Sequence, residues 1–399
     1  MQYRNRNGRS RRFTIGQYGR LTPDEARRKA QKLLATVIDG ADPTAQRSAD
    51  RAAMTVAELC DEYFDKAERG LIITRRRKVK KASTLYTDRG RIERHIKPLI
   101  GRRTVMDLTS RDVNDFLQKV IAGKSAVDVK TKKHGRAIVK GGRGTAARTL
   151  GLLGGILSYA VDAGYRGDNP AARVVRPADG KRSVHFTIEQ YRSLGEALDV
   201  AENNGTCWQA TAAIRLIALT GCRRGEVENL RWTEVDEAGH CLRLLDNKTG
   251  ESGSMRPIGS VVIDVLRSIR KRGESGQFVL PSLRRQDVPY SGLAKAWTRV
   301  ITSLQLAELS SQGQPLTPHG LRHAFGSTAE ELGYTVPTIG ALLGHAGHGI
   351  TMAYIHKTDG ALIAAADRVS RYIWLAMADE DNIVSLKPAV LQEALSGAA

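Results

Sequence analysis

The sequence predicts a mainly α-helical protein with small β elements, an α+β fold spread over two or three domains. Apolar residues recur at helical spacing along most of the chain, as Val56, Leu59 and Tyr63 illustrate. Two short apolar runs, at residues 241–245 and 255–258, predict instead the two strands of a hairpin. A chain of 399 residues also exceeds the usual size of a single hydrophobic core, which favours more than one domain.

The charge balance points to a polyanionic partner. Lysine and arginine number 62 against 42 aspartate and glutamate residues, which gives a net charge of +20. DNA or RNA is the simplest partner for such an excess. No apolar run reaches the roughly 18 residues of a membrane span, and the N-terminus lacks the apolar segment of a signal peptide. We therefore expect a protein of the bacterial cytoplasm, associated with the nucleoid when bound, and no membrane partner.

The cysteines do not predict a metal site or a disulfide framework. None of the four lies in a C-x-x-C pair, and no histidine near them has zinc-ligand spacing. We expect reduced thiols. The four residues are Cys60, Cys207, Cys222 and Cys241.

The first fifty residues predict a small sheet followed by a helix. Six arginines and no acidic residue occupy the first 20 positions, and residues 13–15 with nearby Tyr18 indicate part of the sheet. Thr22 and Glu25 have capping-box spacing, and Pro23 suits the first position of a helix. Gly40 ends the predicted helix.

Residues 54–177 predict a helical domain with two basic connections. Residues 71–81 carry six positive charges and no acid, and residues 123–148 carry eight positive charges against one acid. Such one-signed charge favours contact with DNA phosphates, although solvated surface loops are the alternative interpretation. The candidate DNA-binding residues are Arg75, Arg76, Arg77, Lys78, Lys80, Lys81, Lys130, Lys132, Lys133, Arg136, Lys140 and Arg143.

Residues 183–378 predict further helices around the hairpin and carry several polar motifs. Arg223 lies in the motif TGCRRGE at 220–226, directly after an apolar helix and a glycine. The glycine allows the sharp turn that would present the arginine side chain. Lys248 lies in NKTG at 247–250, at the turn of the predicted hairpin.

Three more motifs follow toward the C-terminus. His319 and Arg322 share the motif HGLRH at 319–323, at a predicted helix start, and their i, i+3 spacing puts them on one face. The start of a helix also favours an anion. His345 closes the motif LLGH at 342–345, and Tyr354 follows nine residues later.

This combination of side chains suits nucleophilic attack on a phosphodiester. Attack on phosphorus places negative charge on the non-bridging oxygens, which preset cations stabilise. The planar fork of arginine matches two phosphate oxygens, so we predict that Arg223 and Arg322 clamp the phosphate. Histidine, with a pKa near 6.5, can take up and return a proton. Glu226 stands where it can hold the Arg223 guanidinium in place.

The order and spacing of the motifs resemble those of the tyrosine recombinase family, the phage-type integrases. The resemblance implies a partial arm-type DNA-binding region at 1–50, a helical core-binding domain at 54–177 and a mixed α/β catalytic domain at 183–378. It also implies that the tail at 379–399, apolar between Ile383 and Leu395, is exchanged between protomers. Docking of this tail on its own domain is the alternative.

The resemblance also implies a role for each polar residue. Tyr354 would be the nucleophile that forms a covalent 3′-phosphotyrosine, with His319 assisting proton transfer and His345 bonding the phosphate. Lys248 would protonate the departing 5′ oxygen, and neither cofactor nor metal is implied. Arg224, His323 and His348 are neighbouring alternatives without a matching role, and we interpret His323 as a structural residue on another face. The implied catalytic set is Arg223, Lys248, His319, Arg322, His345 and Tyr354.

The resulting hypothesis is a site-specific recombinase that integrates or excises a phage or other mobile element. It would act on double-stranded attachment sites as a homotetramer, with host or element-encoded DNA-bending factors as further partners. Three alternatives remain: a type IB topoisomerase, a chromosome-dimer resolvase, and a non-catalytic DNA-binding accessory factor. The arm-like N-terminus disfavours the first two, and the complete catalytic set disfavours the third.

Overall fold

Helices dominate both compact units of the chain, Met1–Lys181 and Arg182–Ala399. Each unit surrounds its own hydrophobic core, and three small antiparallel sheets accompany the helices, so the predicted fold class is confirmed. The structure is a computed structural model. It describes residues 1–17, 19–45, 53–74, 77–132, 135–178, 184–244, 254–272, 276–303, 316–345 and 360–378.

The first unit begins with a two-stranded sheet and a capped helix. Strand β1 (Gln2–Arg4) pairs antiparallel with β2 (Ser10–Arg12). Residues 13–15, predicted as part of the sheet, follow the end of β2, but Phe13 and Met1 continue its pairing: the Phe13 amide donates to the Met1 carbonyl at 2.8 Å, and the Met1 amino group donates to the Phe13 carbonyl at 3.1 Å. Tyr18 lies outside the described residues. Helix α1 (Pro23–Ile38) has the predicted capping box, in which Thr22 and Glu25 bond each other's backbone N–H.

Five further helices that lie wholly within the described residues of the first unit enclose its core. Capping boxes at Thr55 and Thr109 begin the first and fourth of them, and a π-helical turn at Ile92–Ile96 connects the second to the short helix after it. Their apolar stripes supply the core, where Leu59, Phe116 and Leu153 are almost fully buried. The five are α2 (Val56–Glu68), α3 (Ala82–Arg91), α4 (Lys97–Ile100), α5 (Ser110–Ile121) and α6 (Arg143–Asp162).

Two elements of this unit were absent from the sequence prediction. Helix α3 has a weak apolar stripe and no capping side chain, so its sequence resembles a basic loop. The second basic stretch forms a hairpin of β3 (Val127–Lys132) and β4 (Gly135–Val139). Alternation of valine or alanine with charged residues was the available signal, but the high charge favoured a loop interpretation.

The second unit places a three-stranded sheet beside a helical bundle. The strands β5 (Val235–Asp236), β6 (Cys241–Leu244) and β7 (Ser254–Pro257) pair antiparallel in chain order, which confirms the predicted hairpin. The helices are α7 (Ile188–Asn203), α8 (Trp208–Thr220), α9 (Arg224–Glu228), α10 (Ser260–Arg272), α11 (Leu293–Ser303), α12 (Pro318–Glu331), α13 (Val336–Leu342) and α14 (Gly360–Ala378).

Helix α8 is the centre of the second core. Eleven of its residues are buried, and α7, α10, α11, α12 and α14 all pack against it. Its C-cap, Gly221, is left-handed with φ +60°, and a Cβ there would lie 2.7 Å from both Leu343 and Phe325. Only glycine fits this position, and the turn directs the next residues toward the site described below.

We predict that Gly195→Ala destabilises the second unit. Helix α7 crosses α14 so closely that a Cβ at Gly195 would overlap the Met377 carbonyl oxygen. Overpacking of this kind costs about 1–3 kcal/mol. Chemical denaturation of the full chain measures the effect.

The matched control is Gly340→Ala in α13, where no atom lies within 4 Å of an added Cβ. That variant should be neutral or more stable by up to about 1 kcal/mol, because alanine favours a helix over glycine. Equal behaviour of the two variants would contradict close packing at Gly195.

Candidate active site

Arg223 lies where the chain turns out of α8 into the short helix α9. It occupies the N-cap position of α9 in extended conformation. Its backbone N–H donates to Glu226 Oε2 at 2.8 Å, and its guanidinium Nη1 donates to Glu226 Oε1 at 2.6 Å. One carboxylate therefore holds both the main chain and the side chain of Arg223; the sequence predicted only the contact with the guanidinium.

Arg322 projects from the first turns of α12 and is 4% exposed. Its Nη1 donates to the Gly221 carbonyl at 2.7 Å and its Nη2 to the Leu343 carbonyl at 2.8 Å. One guanidinium thus joins the end of α8 to the end of α13. Two N–H groups pinned to the backbone fix the orientation of the fork.

Four of the six predicted catalytic residues line one open cavity of about 480 Å³. They come from three separate segments: the turn after α8, the start of α12, and the turn after α13. His345 follows Gly344, whose φ of +59° turns the chain back toward the cavity. The four residues are Arg223, His319, Arg322 and His345.

His323 also lines the cavity, so its interpretation as a residue of another face was wrong. Positions i and i+4 of a helix are neighbours. The His319 and His323 rings meet edge to face, with centroids 4.9 Å apart.

A third arginine, which the sequence analysis did not single out, completes the charge arrangement. Arg256 of β7 is 1% exposed, and its Nη2 donates to Glu226 Oε1 at 3.0 Å. The same carboxylate oxygen therefore accepts from Arg223 and Arg256. The signal in the sequence was a cationic residue inside a predicted strand, where burial requires a partner.

Burial and charge shift the pKa values of the site residues in a consistent direction. Burial, followed by the charge of Arg223, lowers the pKa of Arg322 to about 10. Burial and then the charges of Arg322, Arg223 and Arg256 lower the pKa of His345. Burial alone would raise the pKa of Glu226, but Arg256 and the contacts with Arg223 outweigh it and leave this pKa below its usual range. The three guanidiniums of Arg223, Arg256 and Arg322 therefore outnumber the two nearby carboxylates, Glu226 and the cavity-lining Glu330.

The other predicted residues divide into two groups. Lys248 and Tyr354 lie outside the described residues, as do Arg75, Arg76, Lys133, His348 and the tail at 379–399. Arg77, Lys78, Lys81, Lys130, Arg136, Lys140 and Arg143 are exposed, and Lys132 lies in β3.

Lys80 differs from the other basic candidates. Its Nζ donates to the buried Asp88 at 2.7 Å, and its side chain is 11% exposed. The ammonium also lies 5.0 Å from the centre of the Tyr63 ring. These contacts direct Lys80 into the first core rather than toward a phosphate.

Among the described residues, no group of three or more histidine, cysteine, aspartate or glutamate side chains is arranged to hold a metal ion. None of the described helices is long and apolar enough to cross a bilayer. The four cysteines are free thiols, three of them buried.

Comparison with protein families assigns all three parts of the chain consistently. Residues 185–360 match the phage integrase family, residues 64–176 match the phage integrase central domain, and residues 1–50 match an arm DNA-binding domain. The chain belongs to the phage integrase family of tyrosine recombinases. It is a site-specific tyrosine recombinase, and the cavity lies in the part that matches the phage integrase family.

Individual relatives support the same assignment. The chain is 24% identical over 348 residues to the prophage integrase IntZ of Escherichia coli K12, covering 85% of this chain and 77% of that protein. It is 27% identical over 220 residues to the tyrosine recombinase XerD of Vibrio vulnificus YJ016, covering 53% of this chain and 68% of that protein.

Solved structures share the fold of this recombinase. A lambda integrase tetramer bound to a Holliday junction superposes with a TM-score of 0.59 at 20% identity, covering 90% of this chain and 95% of that one. The Tn1549 transposon integrase in complex with circular intermediate DNA gives a TM-score of 0.56 at 15% identity, covering 78% and 99%.

We predict that Glu226→Gln destabilises the second unit by about 3–5 kcal/mol, the range for breaking a buried ion pair. The substitution leaves Arg223 and Arg256 without the carboxylate oxygen that they share. Chemical denaturation of the full chain measures the loss.

The control is Asp236→Asn, which removes the exposed pair between Asp236 and Arg243 on β5 and β6. Exposed pairs contribute little to stability because solvent and salt screen them. A loss at Glu226 no larger than at Asp236 would show that the shared oxygen does not balance the buried charge.

Proposed function

We propose that the recombinase cuts and rejoins DNA through a covalent 3′-phosphotyrosine at Tyr354. The observation that carries the proposal is the convergence of Arg223, Arg322, His319 and His345 on one cavity. Burial and then the neighbouring arginine charges lower the pKa values of Arg322 and His345, and a bound phosphodiester would offset those charges.

The proposed reaction requires only groups of the chain itself and the DNA. The Tyr354 oxygen attacks phosphorus, the bond from phosphorus to the 5′ oxygen breaks, and a phosphotyrosine takes its place. His319 accepts the phenol proton, and Lys248 gives a proton to the departing 5′ oxygen. Arg223 and Arg322 stabilise the charge on the non-bridging oxygens. Attack by a second 5′ hydroxyl then reverses the step on a new strand.

We further propose that the reaction integrates or excises a mobile element at double-stranded attachment sites. The alignment with a prophage integrase extends over 85% of the chain, whereas that with XerD covers 53%. The match of residues 1–50 to an arm DNA-binding domain supports the same assignment. A homotetramer on DNA is proposed by analogy with the lambda integrase tetramer, and the bacterial nucleoid is the proposed location.

We assign the hairpin of β3 and β4 to DNA contact. None of its side chains is buried in the described part of the two strands, and Val129 and Ile138 are 41% and 57% exposed. Lys130 stands directly opposite Arg136, whose guanidinium pairs with Asp128, so two cations and one carboxylate share this part of the ribbon. A two-stranded ribbon fits the major groove of B-DNA, and the cations would meet its phosphates.

We predict that Tyr354→Phe abolishes covalent attachment to DNA. The phenylalanine ring keeps the shape of tyrosine but lacks the attacking oxygen. A DNA duplex nicked beside the crossover traps the intermediate, because the short strand diffuses away, and denaturing electrophoresis then detects attached protein.

The control is Tyr334→Phe, a tyrosine of the same unit that does not line the cavity. It should attach to DNA at the wild-type level. Attachment by the Tyr354 variant would identify another nucleophile.

We predict that shortening the hairpin weakens DNA binding and its salt dependence. Replacing residues 128–138 by Asn-Gly keeps Val127 opposite Val139 and uses a turn that suits a two-residue loop. The change removes a net charge of three from this element. The slope of log affinity against log salt should become shallower by about 1–3, or about 0.9 for each lost phosphate contact.

A triple variant of α10 provides a control with the same change in net charge. Arg267→Gln, Arg270→Gln and Lys271→Gln remove three cations from a helix outside the basic stretches. The slope of this control should change less than that of the shortened hairpin. Equal slopes would exclude specific contact by the hairpin.

A further inference from the structure

We propose that Arg256 is a positioning residue for cleavage: it holds Arg223, through Glu226, and the turn that carries His345 in their reactive arrangement. The proposal rests on the function proposed above. Arg256 does not line the cavity, so it would act through other residues rather than on the phosphate.

The first contact of Arg256 restrains Arg223. Glu226 Oε1 accepts from Arg223 Nη1 at 2.6 Å and from Arg256 Nη2 at 3.0 Å. Glu226 is 5% exposed at its side chain, and Arg223 is 23% exposed. Because the buried guanidinium of Arg256 also bonds this carboxylate, Glu226 cannot move toward solvent together with Arg223. Arg223 therefore keeps one orientation.

The second contact restrains the turn before His345. An added Cβ at Gly344 would overlap Arg256 Nη1 and Cζ, so the guanidinium lies directly against the backbone of this turn. Arg256 Nη1 also bonds Ser254 Oγ on its own strand. The sheet is therefore braced against the segment that ends in His345.

The cost of burying Arg256 argues against a purely structural role. Its Nε is buried without a hydrogen-bond partner among the described residues, and such a group loses the free energy of its hydration. A buried ion pair often contributes no more stability than apolar residues of similar volume. Exact placement of Glu226 and of the Gly344 turn gives this costly arrangement a function.

The test compares two substitutions of Arg256 with a control on the neighbouring strand. Arg256→Met keeps an unbranched apolar stem but removes the charged guanidinium, and Arg256→Lys keeps the charge but loses the fork. Arg243→Met removes an arginine from β6, where Arg243 faces solvent and pairs with Asp236. All three are made in the full chain.

The rate of covalent attachment to nicked DNA, at saturating protein, is the main measurement. Loss of a group that orients a functional side chain typically costs about 10- to 100-fold. We expect the upper end of this range for Arg256→Met and the lower end for Arg256→Lys, with DNA affinity within about twofold of wild type since phosphate contacts elsewhere remain. Arg243→Met should retain the wild-type rate.

A double variant separates positioning from general damage. If Arg256 acts on Arg223 through Glu226, combining Arg256→Met with Glu226→Gln should slow attachment by less than the product of the two single losses, because the contact between them is lost only once. If the two substitutions acted independently, their fold-losses in attachment rate would multiply. The folded fraction of each protein, from circular dichroism, corrects the rates.

The pH profile gives a readout that a structural role would not change. Arg223, Arg256, Arg322 and Cys222 face Glu226 and its charge. Removing Arg256 takes away the largest influence that lowers the pKa of Glu226, so its pKa should rise. Attachment by Arg256→Met should then fall on acidification at a higher pH than in wild type, while Arg256→Lys should keep the wild-type profile.

Each failure has a distinct meaning. An Arg256→Met rate equal to that of Arg243→Met, multiplicative losses in the double variant, or an unshifted pH profile would overturn the role of Arg256 alone. If wild-type protein fails to attach to nicked DNA, the proposed function is wrong, and the role of Arg256 is overturned with it.

Discussion

The described part of the cavity depends on one electrostatic constraint: three guanidiniums lie close together, and Glu226 is the carboxylate that bonds two of them. Arg322 is held by two backbone carbonyls instead. Like charges at low exposure repel each other strongly. The fold can hold them because the hydrogen bonds are fixed before any ligand arrives, and the remaining positive charge favours an anion in the cavity.

Backbone geometry makes this charge arrangement possible. Gly221 and Gly344 both have left-handed φ angles and both lie against side chains that a Cβ would displace. They are the turns at which the chain leaves α8 and α13. Arg322 donates to the carbonyl of Gly221 and to that of the residue before Gly344. The two turns and Arg322 therefore depend on each other: the turns expose the two carbonyls, and Arg322 donates hydrogen bonds to them.

In the first unit, the residues that form the core are separate from the basic residues of the surface ribbon. Its helices bury apolar stripes in one core, and ion pairs such as that of Lys80 with Asp88 stay close to that core. The described side chains of the β3–β4 ribbon add no residue to this core. The basic residues of this unit therefore differ in environment. Lys80 is paired with Asp88 close to the core, whereas the cations of the ribbon lie on an exposed surface.

The sequence by itself determined the fold class, the capped helices and the identity of the family, because periodicity, caps and ordered motifs are local properties of the chain. It also predicted the contact of Glu226 with Arg223, three residues apart. Only the tertiary structure decided that Arg256 shares that carboxylate, that Lys80 faces inward and that His323 lines the cavity. These outcomes depend on which distant segments meet, and burial of a cation is visible only once its partner is in place.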